Sequence, residues 1–140
     1  MKGKFFLIIL MCLGLIGCAT MSLSKIASVN RENLSNLLAG MTKEEVLKIM
    51  GVKTEKAGFW DWYTKIKNPY KSEILRGKDK TLEAVYYFTS IEENRLAGER
   101  PVITDNKITP LIFDNGVLVG WDWDFLNSSI EEYEIGRAHV

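Results

Sequence analysis

Residues 109–125 read TPLIFDNGVLVGWDWDF, and the turn inside them sets the expected architecture. Asn115 and Gly116 lie between two apolar runs, where Asn-Gly is the strongest short-range signal for a β-hairpin. We expect its strands over Thr109 to Phe113 and Val117 to Phe125. Because strand side chains alternate between faces, the second strand should be half buried. The predicted apolar face holds Val117, Val119, Trp121, Trp123 and Phe125, and the opposite face holds Gly120, Asp122 and Asp124.

A second hairpin is predicted upstream of the first. Lys71 to Leu75 and Thr81 to Ser90 flank a polar turn, and the later run is rich in aromatic and β-branched residues. Between the two hairpins, Ile91 to Lys107 is expected to be a long charged loop, of a kind that is often functional or mobile. Phe59 to Tyr63 is open to two interpretations, a further strand or a loop that plugs the core. Together the two hairpins predict a four-stranded antiparallel sheet.

Two short helices are expected before the sheet. The first should run from Asn30 to Ala39, where leucines recur at helical spacing, Asn30 can cap the start and Gly40 follows the end. Isolated helices shorter than about 12 residues are marginal in water, so both helices need the sheet as a packing surface.

The second helix has the clearest local signals in the chain. Thr42 and Glu45 have the spacing of a capping box, and Met41 can pack onto Val46 as a hydrophobic staple. Gly51 is placed to end the helix in a left-handed conformation. The sequence therefore predicts an α+β fold in which two amino-terminal helices pack on a four-stranded antiparallel sheet.

The amino-terminal residues have the pattern of a secretory signal peptide. Lys2 and Lys4 precede an apolar run from Phe5 to Ile16. That run is shorter than the roughly 20 residues that a helix needs to cross a bilayer. Where it ends, Leu15-Ile16-Gly17-Cys18 resembles the lipobox of bacterial lipoproteins. The resemblance implies that Cys18 is acylated and becomes the first residue of the mature chain.

The lipobox resemblance also implies a location. The protein is expected in the cell envelope, held on a membrane by its lipid and facing the periplasm. Ala19 follows the cysteine where Asp is associated with retention in the inner membrane, so the resemblance favours the outer membrane of a Gram-negative source. We expect a signal peptide over 1–17 and a poorly ordered, lipidated tether over 18–29.

The last six residues are expected to be non-native. Residues 135–140 read IGRAHV, which resembles the translation of a widely used sequencing adapter. The chain has 140 residues, a length near that of one domain. We therefore place a single domain over 30–134 and a non-native tail over 135–140.

Composition excludes several classes of function. The 18 Lys and Arg residues balance 18 Asp and Glu residues, so the chain lacks the basic excess of a nucleic-acid-binding protein. The only His lies in the predicted tail, which leaves no Ser-His-Asp triad. Two Cys and one His are too few for a zinc site of Cys and His ligands. We predict a protein that is not an enzyme, with no catalytic residues, cofactor or metal.

A Trp-Asp-Trp triplet occurs twice, at residues 60–62 and 121–123. Trp60, Trp62, Trp121 and Trp123 either fill the core of a small sheet or present aromatic faces to a partner. Exposed faces would mark a protein-interaction surface or a site for peptidoglycan or another saccharide. Asp122 and Asp124 could form a carboxylate pair for acid-base chemistry, but solvated strand charges are the simpler interpretation.

Two segments resemble a known family. Leu38 to Val46, with Met50-Gly51 after it, resembles the helix-hairpin signature of the SmpA/OmlA (BamE-like) group of small periplasmic lipoproteins. Pro110 to Phe113 and Gly116 to Trp121 also resemble the closing hairpin of a related family of uncharacterised lipoproteins. The resemblance implies a β-lactamase-inhibitor-like fold without catalysis and a partner in an envelope protein complex that serves envelope or outer-membrane assembly. Gly51-Val52-Lys53 departs from the usual Gly-x-Pro of that group.

Overall fold

The computed structural model describes residues 23–59, 62–90 and 103–136. These residues form an α+β fold with three α-helices, a four-stranded antiparallel sheet and a two-stranded hairpin. A short 3-10 turn lies at Asp105–Lys107. The helices are α1 Leu23–Leu34, α2 Lys43–Met50 and α3 Trp123–Glu132. The strands are β1 Lys53–Phe59, β2 Trp62–Asn68, β3 Lys71–Arg76, β4 Thr81–Phe88, β5 Ile108–Asp114 and β6 Val117–Trp121.

The four-stranded sheet has the order β3-β4-β5-β6, with each neighbouring pair antiparallel. Both predicted hairpins are therefore confirmed. The inner strand β4 is buried on both faces, because α2 packs on one side and α3 on the other. On the α2 side Val85 and Tyr87 meet Val46 and Met50. On the α3 side the β4 residues packed near Leu126 are Leu82, Ala84, Tyr86 and Phe88.

The capping box of α2 is confirmed. The Thr42 hydroxyl accepts from the Glu45 backbone N–H at 3.3 Å, and the Glu45 carboxylate accepts from the Thr42 N–H at 2.8 Å. The Thr42 hydroxyl also donates to the Glu45 carboxylate at 2.8 Å, and the bonds that this carboxylate accepts from the Thr42 backbone N–H and hydroxyl lower the pKa of Glu45. Gly51 ends the helix with φ 81°, as expected of glycine, although its ψ of 150° lies outside the left-handed helical region. Met41 packs against the apolar cluster that contains Val46.

The predicted bounds of the first helix are wrong. Helix α1 runs from Leu23 to Leu34, so it begins inside the stretch expected to be a poorly ordered tether and ends before Ala39. Asn30 is not its cap but one of its buried interior residues, together with Ile26 and Ala27. The leucine spacing misled because Leu37 is buried after the helix has ended, and Leu38 is 67% exposed.

The predicted second strand of the later hairpin is also wrong beyond Trp121. Asp122 has φ 82° and caps α3, where its carboxylate accepts from the Phe125 N–H at 2.8 Å. A register shift pairs Ile112 with Gly120 but Phe113 with Leu118, which leaves Val119 as an extra residue. This bulge interrupts the alternation of faces. The bulge therefore separates Val119 from Trp121: Trp121 packs with the apolar cluster around Val46 and Met50 (the α2 cluster), and Val119 packs with the cluster around Leu126 (the α3 cluster). Trp123 and Phe125 also pack with the α3 cluster, because they belong to the helix and not to the strand.

The segment that the sequence left open belongs to a third hairpin. Strands β1 and β2 pair along their length: Lys53 lies opposite Asn68 at one end, and Phe59 lies opposite Trp62 at the other. Of the two interpretations of Phe59 to Tyr63, the strand is therefore correct for residues 59, 62 and 63. Residues 60 and 61, and most of the predicted loop from Ile91 to Lys107, lie outside the described residues.

Ile135, the first residue of the predicted tail, is buried in the α3 cluster. Within the described ranges, no helix is long and apolar enough to cross a membrane.

Candidate functional site

The two edges of the four-stranded sheet differ. At the β6 edge the chain covers its own strand: the Gly40 N–H donates to the Leu118 carbonyl, and the Leu118 N–H donates to the Met41 carbonyl, both at 2.8 Å. The Lys43 N–H continues this pairing to the Gly116 carbonyl at 2.8 Å. These bonds form because the segment that leads into α2 runs beside β6. The backbone groups of Gly116 and Leu118 on that edge are thus used within the fold.

Strand β3 forms the other edge, and among the described residues no strand pairs with its outer side. Ile74 lies in the middle of β3 and is 55% exposed, whereas its neighbour Leu75 is buried. A large apolar side chain exposed on an edge strand is unusual, because such edges invite pairing with other chains. We therefore take the outer edge of β3 as the candidate site and call it the β3 edge.

Side chains on the inner side hold β3 in position. The Tyr86 hydroxyl donates to the Glu73 carboxylate, and the Lys71 Nζ lies 4.3 Å from the centroid of the Tyr86 ring. Ile74 lies opposite Glu83, which forms an ion pair with Lys43 of α2 at 2.6 Å. A strand fixed in this way presents a preformed edge, which lowers the entropic cost of adding another strand.

Charged residues border the exposed apolar residue on β3. Lys71 and Arg76 are exposed at the ends of the strand, and Glu73 is half-buried beside Ile74. Charges on an edge strand limit indiscriminate association. The arrangement suits an extended segment whose main chain pairs with β3 and whose side chains match this charge pattern.

The aromatic residues predicted to contact a partner are distributed over the fold. Trp121 is half-buried on the α2 side of the sheet. Trp123 is half-buried on the α3 side, and its indole N–H reaches the Asp105 and Ile108 carbonyls, each at 2.8 Å. These two side chains do not form one aromatic platform.

The other candidate residues are only partly described. Trp62 begins β2, but its side chain is outside the described part of the structure. Cys18 and Trp60 lie outside the described residues altogether. Their predicted roles in lipidation and partner binding stay predictions.

The carboxylates singled out in the sequence have structural positions. Asp122 caps α3, and Asp124 lies in the first turn of that helix. In the described ranges no group of three or more His, Cys, Asp or Glu side chains is placed to hold a metal ion.

A shallow groove lies between the β3–β4 turn and α3. Lys80, which lines the groove together with Glu132, contacts the Asp114 carboxylate at 2.9 Å, and its Nζ lies 4.5 Å from the centroid of the Tyr133 ring. The hydrogen bond to Asp114 is the main cause of the raised pKa of Lys80. Because the cation is already engaged by two partners within the fold, the groove is a weaker candidate than the β3 edge.

A family model described as Protein of unknown function (DUF3192) matches residues 17–127. The chain belongs to this family. No curated protein and no solved structure matches it. The DUF3192 match contains all six strands, so the β3 edge lies within the region that the family describes.

Sequence reasoning predicted β3 as a strand of this DUF3192 chain but did not single out its edge. Ile74 lies in an ordinary strand pattern, and nothing in the local sequence says which strand is outermost. Which strand is outermost depends on the order of the strands in the sheet. Residues 40–43 cover β6 through contacts between parts of the chain that are distant in sequence, so local patterns do not predict them either.

Proposed function

We propose that this protein is a non-enzymatic, lipid-anchored envelope lipoprotein that binds an extended segment of a partner protein along the β3 edge. The observation that carries the proposal is the contrast between the two sheet edges. The β6 edge is covered by residues 40–43, whereas β3 exposes Ile74 without a strand partner among the described residues. Strand addition at such an edge is a common mode of peptide recognition.

The anchor is supported by the amino-terminal sequence. Leu15-Ile16-Gly17-Cys18 follows an apolar run and resembles a lipobox. The DUF3192 match begins at residue 17, at the end of the predicted signal peptide. Acyl chains contribute about 0.8 kcal/mol per buried CH₂, so two or three chains would hold the protein on a membrane without a spanning helix. We place it at the outer membrane, facing the periplasm.

The envelope role is supported by the resemblance to the SmpA/OmlA (BamE-like) group. The capping box at Thr42 and the four-stranded antiparallel sheet agree with the β-lactamase-inhibitor-like fold that this resemblance implies. The carboxy-terminal helix α3 and the β1–β2 hairpin are additions to the expected pattern. We propose a partner within an envelope protein complex, with outer-membrane assembly as the favoured process.

Site-specific photo-crosslinking in the living bacterium tests the docking edge. A photoreactive phenylalanine analogue replaces Ile74 in one strain and Val117 in a matched strain. Val117 is also an exposed apolar strand residue, at 38%, but it lies on the covered edge. The proposal predicts that position 74 crosslinks to one defined envelope protein and that position 117 does not.

A second test of the docking edge places a charge at position 74. Ile74→Asp should abolish capture of that protein, whereas Val117→Asp should not. Equal crosslinking from positions 74 and 117 would contradict the proposal that the partner binds along the β3 edge. Sedimentation of the protein with isolated peptidoglycan, without any crosslinked protein, would favour the saccharide-binding alternative instead.

A further inference from the structure

The two carboxylates beside Ile74 are already engaged within the fold. Glu73 precedes Ile74 on β3, and its carboxylate accepts from the Tyr86 hydroxyl. Glu83 lies directly opposite Ile74 on β4, and its carboxylate contacts the Lys43 Nζ at 2.6 Å. Both negative charges next to the exposed apolar side chain therefore have a donor inside the molecule.

The cations at the two ends of β3 are in a different position. Arg76 is exposed, and within the described ranges its guanidinium forms no ion pair. Lys71 is exposed at the other end, and its ammonium group lies over the ring of Tyr86, 4.3 Å from the centroid. Such a contact attracts the cation without supplying a negative charge to cancel it. A partner at the β3 edge therefore meets one apolar side chain between two positive charges.

The spacing of these three side chains determines what a paired strand must present. Ile74 lies three residues after Lys71 and two residues before Arg76. Consecutive strand residues are about 3.3 Å apart along the axis, so the two cations are held about 17 Å apart. Side chains directly opposite each other on paired strands interact, and opposite charges there are favourable. A matching segment therefore has an apolar residue between two carboxylates, closer to one of them than to the other.

We propose that the segment bound at the β3 edge is acidic, with one carboxylate opposite Lys71, another opposite Arg76 and an apolar side chain opposite Ile74. An antiparallel segment is favoured, because antiparallel pairing is the more stable arrangement and continues the pattern of the whole sheet. From its own amino terminus such a segment has the order acid-x-apolar-x-x-acid. This inference rests on the proposed docking edge and adds the chemistry of the partner.

A second copy of β3 does not meet this requirement. Each β3 strand brings two cations but only one carboxylate, that of Glu73, which already accepts from Tyr86. Two paired copies would therefore leave at least two cations without a carboxylate. A separate segment that carries the complementary charge pairs with β3 without this mismatch.

Peptide titration of the full chain tests the proposal. The protein is purified from bacterial membranes in detergent, and binding of fluorescently labelled peptides is followed by anisotropy. The acidic probe contains Asp-Thr-Ile-Thr-Thr-Asp, and the basic probe has Lys in place of both Asp residues. A third probe, with Asp-Thr-Thr-Ile-Thr-Asp, keeps the composition of the acidic probe but moves the Ile by one position. Arg76→Glu tests the edge, and Lys48→Glu, at an exposed position of α2, makes the same change of net charge elsewhere.

The acidic probe should bind several-fold more tightly than the basic one, because each exposed ion pair changes an equilibrium constant by up to about five-fold. Arg76→Glu should cancel or reverse this preference, whereas Lys48→Glu should retain it. The third probe should bind more weakly than the acidic probe, because its Ile no longer lies opposite Ile74. High salt should reduce the preference for acid, since salt screens exposed charges.

Equal binding of the acidic and basic probes would overturn this inference. If that equal binding is lost in Ile74→Asp, the docking edge itself is still supported, so the two failures are distinguishable. No binding by any probe would also overturn the inference, while crosslinking from position 74 in the living bacterium tests the docking edge independently. Sedimentation of the protein as a dimer that Ile74→Asp dissociates would assign the edge to a second copy and contradict an acidic partner.

Discussion

The side-chain amides of Asn30 and Asn68 donate to each other's oxygen atoms, at 2.9 and 3.1 Å, across 38 residues of chain. Both side chains are buried, at 1% and 5% exposure. The Asn30 amide also donates to the Phe88 carbonyl at 2.7 Å, and the Asn68 amide reaches the Met50 carbonyl at 3.4 Å. This pair ties α1 to the base of the β1–β2 hairpin and to the ends of α2 and β4. It therefore joins α1 to the β1–β2 hairpin.

Removing one member of this pair should be costly. Asn30→Ala leaves the Asn68 amide group without its buried partner and takes a donor from the Phe88 carbonyl. An unsatisfied buried polar group costs about 1–3 kcal/mol, so the free energy of unfolding in urea should fall by that amount. Asn127→Ala, at an exposed position of α3, is the matched control and should change it little. If the two variants have the same free energy of unfolding, the buried pair of asparagines does not stabilise the fold.

The close packing of α3 on the sheet can be tested at Gly120. A Cβ atom at this position would lie 2.6 Å from ring atoms of Phe125. Overpacking of this kind costs about 1–3 kcal/mol, so Gly120→Ala should lower the melting temperature. Gly136→Ala is the comparison, because nothing lies within 4 Å of a Cβ there. Equal melting temperatures for the two variants would contradict the observed packing of α3.

These two sites also show where sequence reasoning stopped. The hairpin at Asn115-Gly116 and the capping box at Thr42 were predictable because their signals are local. Helix α1 was misplaced because its buried face depends on Asn68 and Ile66, which are distant in sequence. Helix α3 was missed because alternating apolar residues after Trp121 looked like a continued strand.

The candidate site was only partly predictable for the same reason. The strand β3 could be read from its pattern, but its place at the edge of the sheet follows from strand order. The bulge at Val119 reversed the alternation in β6 and separated Val119 from Trp121, and the turn at Asp122 placed Trp123 in a helix. A single inserted residue of this kind leaves no mark that periodicity can detect.

The capping box should set the stability of α2. Thr42→Ala removes the hydroxyl that accepts from the Glu45 N–H and should lower the free energy of unfolding by about 1 kcal/mol. Thr42→Ser keeps the hydroxyl and should retain most of the stability. Because the folded state lowers the pKa of Glu45, its contribution is present above the unfolded pKa and is lost as the pH falls through the folded pKa. Urea unfolding of the three proteins at neutral and acidic pH measures both effects.

Tyr87 should make stability depend on pH in the alkaline range. Burial raises its pKa to about 12, and its hydroxyl donates to the Gly51 carbonyl at 3.1 Å. Above pH 10 the unfolded chain loses this proton while the folded chain keeps it, so stability falls as the pH rises toward the folded pKa. Tyr87→Phe removes this group, and its melting temperature should fall less between pH 9 and 11.5. Parallel melting curves for the two proteins across that range would count against a buried Tyr87.

The most direct test of a lipid-anchored protein is the intact mass of the chain purified from bacterial membranes. We predict a polypeptide that begins at Cys18 and carries the added mass of a diacylglyceryl group and its acyl chains. Cys18→Ala should lack that mass and should leave the membrane fraction or retain its signal peptide. A wild-type chain that begins elsewhere, or that begins at an unmodified Cys18, would contradict lipid anchoring at this residue.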